Sequence, residues 1–235
     1  MKKTENTCIF ILFLILLGQT FVSCKDDENE DEYEYEDALI QAIDNLPSMQ
    51  DIKSTTAFLP FDKKYRYRNI ELEVNIEDKF IMSSYMILCY TMSEEEDGFR
   101  VFGLEPSRTY YYTLLYNKKN TGIYSKQTKS FTTSGVNIEF IGRGENNKLL
   151  VKVHDLEEMD AALHTVGVAY QYFNKEGKEI SKGGSHYIGD FIWELSPSQV
   201  PSDGDYWKAF AKCSQDRVVA ETPIITYVDG EWKAE

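Results

Sequence analysis

Residues able to do chemistry are few in this chain, and their spacing argues against catalysis. There are three histidines, His154, His164 and His186. His154 is followed by Asp155, a pairing that could orient an imidazole, and Ser185 would complete a Ser/His/Asp set. No nucleophile elbow frames that serine. Adjacent His and Asp side chains on a strand point to opposite faces, so all three histidines read as surface residues. The chain has 39 Asp and Glu, so sequence spacing alone does not exclude a carboxylate pair for glycoside hydrolysis. Glu157, Glu158 and Asp160 could gather a calcium ion, but they lack the alternating spacing of an EF-hand loop and read as a solvated helix face. Cys89 and Cys213 form no CxxC and no Cys/His cluster. They read as strand residues, either free or joined by one long-range disulfide. No catalytic residue, metal site or cofactor is therefore assigned. Tyr111, Tyr187, Trp193 and Trp232 could stack on sugar rings, yet strands normally carry such side chains in their cores and cross-strand pairs. Tyr111, which alternates with Tyr110 and Tyr112, and Trp232, beyond the last strand, remain as the candidate ligand contacts. Trp232 is either free or a cap on its module.

The first residues speak to compartment. Lys2 and Lys3 precede an unbroken apolar run from Cys8 to Leu17. Ten residues are too few to span a bilayer, which needs roughly 20, but they fit the apolar stretch of a secretory signal. Phe21-Val22-Ser23-Cys24 follows at the expected distance. This resembles the lipobox of bacterial lipoproteins, with Phe21 in place of the usual Leu. The resemblance implies a signal peptide over 1–23 and diacylglycerol on the Cys24 thiol, with further acylation such as palmitate. Two or more chains suffice for stable anchoring, at about 0.8 kcal/mol per buried CH₂. Lys25-Asp26-Asp27-Glu28 resembles the export signal of Bacteroidota-type surface lipoproteins, which implies an outer-membrane protein facing the cell exterior. Nine of the twelve residues from Asp26 to Asp37 are acidic, so the same stretch also reads as a plain acidic tether. In both readings the run is expected to repel itself and stay disordered.

Cleavage before Cys24 leaves 212 of the 235 residues, enough for one large or two small domains. The formal charge of the chain is −14, and residues 1–23 carry Lys2, Lys3 and Glu5, so the mature chain stands at −15. Much of that charge lies in the tether. With no basic stripe along the chain, nucleic acid is not an expected partner.

The rest must be positioned by strands. Glu36 to Leu46 places Leu39, Ile43 and Leu46 on one helical face before Pro47, which suggests a short helix within a 24–50 tether. From about Asp51 the period changes to two. Ile70, Leu72, Val74 and Ile76 alternate with polar residues, and Ser84 to Met92 forms a denser run. Leu104, Pro106 and Tyr110 then reproduce the Leu-x-Pro-x-x-x-Tyr spacing of fibronectin type III modules. That resemblance covers about 52–133 and implies a tyrosine corner, in which the Tyr110 hydroxyl turns back to the backbone before its strand. Ser130-Phe131-Thr132-Thr133 looks like the final strand of such modules. The Trp common in their early strands is missing, and Leu72 or Val74 would fill its place.

Ser134-Gly135 marks a boundary, giving modules over 51–134 and 135–235. In the second, strands are expected around Val136–Phe140, Leu149–Val153, Val166–Tyr170, Gly189–Leu195, Trp207–Cys213 and Ile224–Val228, with a hairpin turn at Asn174–Gly177. Asp155 to Leu163 reads as a helical insertion. Val200 and Tyr206 keep the spacing of Leu104 and Tyr110, but alternation favours Trp207 over Tyr206 for the core. The expected fold is all-β: two tandem immunoglobulin-like, fibronectin type III-like antiparallel sandwiches after the signal peptide and tether. Modules of this size offer little cleft for an enzyme. The functional expectation is a non-enzymatic surface lipoprotein that binds a protein or serves an assembly. Alternatives are a glycan-binding lipoprotein of a polysaccharide uptake system and, third, a small hydrolase.

Overall fold

The computed structural model describes residues 27–80, 88–118, 121–157, 165–197 and 200–234. The signal peptide, Cys24, Lys25, Asp26, His164, Glu158, Asp160 and most of the Asp155–Leu163 insertion lie outside the described residues.

A helix, α1, covers Asp27–Asp44, so Asp27 and Glu28 open a helix where the sequence suggested a disordered tether. Glu, Ala, Leu and Gln are good helix formers, and acids in a first turn oppose the positive end of the helix dipole. The helix stops before Pro47, whose ring forbids continuation, and Leu46 N–H closes the end on Ile43 O at 3.1 Å. Residues Ile43–Glu235 make one compact unit, and within it lie two antiparallel sandwiches in tandem.

In the first, β1 (Ala57–Pro60) pairs with β4 (Gly98–Val101). The facing sheet has the order β3 (Leu88–Tyr90), β2 (Ile70–Asn75), β5 (Thr109–Lys118), β6 (Thr121–Tyr124), with β7 (Lys129–Thr132) also on β5. Leu72 and Val74 stand opposite Leu114 and Tyr112, and all four are fully or almost fully buried. The period-two pattern of the sequence is thus the inner face of this sheet. Phe131 packs on Tyr110 with ring centroids 5.7 Å apart and meets Tyr112 edge-on.

In the second, β8 (Asn137–Arg143), β9 (Leu149–His154) and β12 (Ile192–Leu195) form one layer. The other holds β10 (Gly167–Phe173), β13 (Tyr206–Lys212), β14 (Val218–Glu221), β15 (Ile225–Val228) and β16 (Glu231–Ala234). The long β11 (Glu179–Gly189) belongs to both, pairing with β10 up to Gly184 and with β12 from Ser185. Gly183 sits at this changeover because a Cβ there would lie 2.9 Å from the Tyr170 ring. Trp207, Tyr172, Val151 and Leu195 centre one buried cluster fed by both layers. Asn174–Gly177 turns as its residues dictate: Gly177 takes φ +80°, and Asn174 Oδ1 accepts from Lys178 N–H at 2.8 Å.

One expectation is corrected and one open alternative is closed. The strand over Gly189–Leu195 is broken by Asp190 and Phe191, both left-handed (φ 49° and 57°), which reverse the chain between β11 and β12. A phenylalanine at positive φ gives no sequence warning of such a turn. The inter-module disulfide is also out, because Cys213 is a free, buried thiol.

Candidate functional site

The loop between β4 and β5 carries the residue on which the two sandwiches meet, and the tyrosine places it. Tyr110 Oη accepts the Glu105 backbone N–H at 2.8 Å, with Leu104 fully buried beside it. Thr133 Oγ1 donates to Glu105 O at 2.6 Å and accepts from Arg108 N–H at 3.0 Å. The Glu105 main chain is therefore fixed on both sides, and its carboxylate is aimed away from the first core.

Three donors converge on that carboxylate. Arg108 reaches it from the same loop. Ser214 Oγ and Arg217 come from the β13–β14 turn of the second sandwich, Arg217 through Nε at 3.2 Å and Nη2 at 3.0 Å. Arg217 Nη2 also donates to Pro106 O at 2.8 Å. This turn is tight because Gln215 and Asp216 both take positive φ, 56° and 58°, so Ser214 and Arg217 flank one reversal. The Glu105 side chain keeps only 8% of its surface. Burial alone would push its carboxyl up, but the hydrogen bonds from Ser214, Arg108 and Arg217 outweigh it and hold the group below the ordinary carboxylate range.

A second seam joins the same two sandwiches. Ser54 Oγ donates to Asp155 O, Thr55 Oγ1 to Glu157 O at 3.1 Å, and Lys53 Nζ pairs with Glu157 at 2.7 Å. Ser54 and Thr55 are fully buried.

Between the Glu105 junction and β10 lies a cleft of about 570 Å³, lined by Gly103, Glu105, the Thr165–Ala169 stretch, Lys212, Cys213, Ser214 and Asp216. A smaller trough of about 400 Å³ shares Ala169 and Lys212 with it and continues over β10, β11 and β13 past Phe210, Lys182 and Gly184. Burial, with the Glu105 charge nearby, pushes the Cys213 thiol up to about 11, so at neutral pH it is protonated and a poor nucleophile.

The residues singled out in the sequence are not brought together here. Tyr111 is half-buried on β5, opposite Asn75 and Ser130. Trp232 lies on β16 in the other sandwich, half-buried, edge-on to Tyr172 and Trp207 and 5.0 Å from Tyr227; it caps the core. Tyr187 and Trp193 are 5.2 Å apart but tilted by 59°, with Trp193 buried, so they offer no flat platform. His154 Nε2 meets Glu139 at 2.8 Å, whereas Ser185 Oγ donates to Val168 O at 2.7 Å; each is engaged elsewhere. Among the described residues, no group of three or more His, Cys, Asp or Glu is arranged to hold a metal ion. In the second sandwich Val200 is 91% exposed, and Tyr206 stacks on Phe173 on the outer face at 4.9 Å. The tie there is made by Tyr172, which donates to Asp205 Oδ2 at 2.9 Å. Sequence reasoning missed Glu105, Ser214 and Arg217. Glu105 stands inside the Leu-x-Pro spacing, and its only partner near in sequence is Arg108, so the pattern gives no sign of Ser214 or Arg217.

No family model matches the chain, and no curated protein matches it. Among solved structures it is similar to the FN1–FN3 domains of chicken CNTN1, with TM-score 0.30 and 12% identity over 74% of this chain and 63% of that one, under two thirds of its length. It is also similar to a two-domain fibronectin type III segment of chicken tenascin, with TM-score 0.29 and 15% identity over 77% of this chain and 94% of that one. Strand order and burial, rather than these likenesses, define the class: an all-β protein of two antiparallel immunoglobulin-like sandwiches in tandem.

Proposed function

We propose that this chain is an outer-membrane lipoprotein, displayed on the cell exterior, that binds a protein partner or takes a place in a membrane assembly without catalysing a reaction. The observation that carries the reading is Phe21-Val22-Ser23-Cys24 directly after a ten-residue apolar run. In this reading attachment comes from lipid on Cys24. The binding role is supported by a body whose sandwiches are tied at two seams, which holds loops and sheet faces at fixed positions. The test is the mass of the N-terminal peptide of the protein from its native host, together with protease access on whole cells. A diacylglyceryl Cys24 as first residue and cleavage of the β-body in intact cells are expected. An N-terminus that retains residues 1–23, or an unmodified Cys24, would remove the anchor from the account.

The trough favours one second reading. Its floor at Ala169 and Gly184 is poor in side chains, while Phe210 and Lys182 stand along it, a surface on which a sugar ring could lie flat. Binding of a soluble oligosaccharide that is lost in Phe210→Ala would move the account from protein assembly to glycan capture.

A further inference from the structure

We propose that Glu105, Ser214 and Arg217 form a latch that holds the two sandwiches closed over the cleft beside Cys213, and that this latch opens locally while both sandwiches stay folded. The inference adds one movable contact to the otherwise fixed body of the proposed binding role, and it rests on that reading only for its biological use.

The two seams differ in kind. At the Ser54–Thr55 seam, the serine and threonine hydroxyls are buried against main-chain carbonyls of Asp155 and Glu157. Releasing them gives up two hydroxyl–carbonyl hydrogen bonds made by fully buried residues, which is costly. At the Glu105 seam, Arg108 stays with Glu105 whether or not the turn is docked, because both belong to one loop. An opened latch therefore leaves the carboxylate with one cation still beside it. Arg217 is about one-third exposed even when closed and can exchange its contacts for water. The turn bearing Ser214 and Arg217 is a two-residue reversal anchored by Cys213 N–H to Arg217 O at 2.9 Å, so it moves as a unit. Its first flanking residue, Cys213, lines the cleft and is about 9% exposed, and it would be uncovered when the turn lifts. The weaker seam is thus the one that borders the cavity, and Cys213 is its built-in reporter.

The experiment is maleimide labelling of Cys213 in the full-length protein in mild detergent, read by mass spectrometry of the Cys213 peptide, alongside amide exchange of β2 and β10. Glu105→Gln removes the charge on which Arg217 docks and should raise the Cys213 labelling rate about tenfold or more, the worth of one charge-assisted hydrogen bond. Exchange in β2 and β10 should stay within about twofold of wild type, as expected for local opening. Ser214→Ala, a milder change, should give a smaller rise in the same direction. Unchanged labelling in both variants overturns the latch. So does a rise matched by equal acceleration of exchange in both sandwiches, which would mean that Glu105 supports global stability only. If Glu105→Gln does not fold, Ser214→Ala decides alone by the same criteria. None of these outcomes depends on lipid at Cys24 or on a partner, so the latch and the proposed function can fail separately.

Discussion

Replacing Tyr110 by Phe keeps the ring and its packing on Phe131 but deletes one oxygen. That oxygen accepts the Glu105 N–H at 2.8 Å, and both residues are more than nine-tenths buried. The ring leaves no cavity, so the cost is that of a buried donor left without a partner, about 1–3 kcal/mol. In a chain of this size each kcal/mol lowers the melting temperature by about 2–4 °C, which puts the expected drop at roughly 2–12 °C. The consequence should reach beyond the first sandwich, because the same loop aims the Glu105 carboxylate at Arg217. A double-mutant cycle with Arg217→Ala, followed by urea unfolding of the chain from residue 25, should therefore show coupling of about 0.5–3 kcal/mol. A single-mutant change below about 1 °C would refute the claim that the corner holds Glu105. Additivity within about 0.5 kcal/mol would refute its link to the junction.

Other outcomes follow from buried groups. Trp207→Ala empties the centre of the second core, where Trp207 is fully buried against Phe140, and should cost about 3–5 kcal/mol by denaturant unfolding. Glu73 is buried on the outer face of β2, and burial, with Glu71 beside it, raises its pKa. The folded form thus holds its proton more tightly than the unfolded one, so this contribution is full at low pH and is lost as pH rises toward the folded value. Glu73→Gln should abolish that loss and stabilise the protein at pH 8 relative to pH 5 in parallel melts; an identical pH profile would contradict it. Glu105 has the opposite sign. Its lowered pKa gives stability that is present above the ordinary glutamate range and lost as pH falls through the folded value. Acid titration of the melting temperature should be shallower in Glu105→Gln, and parallel curves would count against the junction carboxylate.

The inner faces of the strands were legible because period two leaves a direct trace: Leu72 and Val74 alternate with polar residues, Trp207, Ala209 and Ala211 recur at every second position with Lys208 and Lys212 between or beside them, and all five are buried. The Tyr110 spacing was legible because one residue type has to meet a loop at a fixed distance along the chain. The junction was not. Glu105 lies more than 100 residues from Ser214 and Arg217, and nothing in the local pattern of either loop announces a partner so far away. The long β11 was hidden for a related reason. It shows no period-two pattern of apolar residues, and its Gly183 is set by close approach to Tyr170 where the strand changes layer. The reversal at Asp190–Phe191 was masked by a residue type that avoids left-handed backbone. Helix α1 was underestimated because the acidic run was weighed by its charge repulsion and not by the helix propensity of its glutamates.

The chain is proposed to be a lipid-anchored body that works by holding a partner. That role is tested most directly by purifying the full-length protein from its native membranes in mild detergent beside a Cys24→Ala control. A stoichiometric membrane protein that accompanies only the Cys24 form is the predicted result. Recovery of the Cys24 form alone, with the same fractionation as Cys24→Ala, would contradict both the anchor and the assembly role.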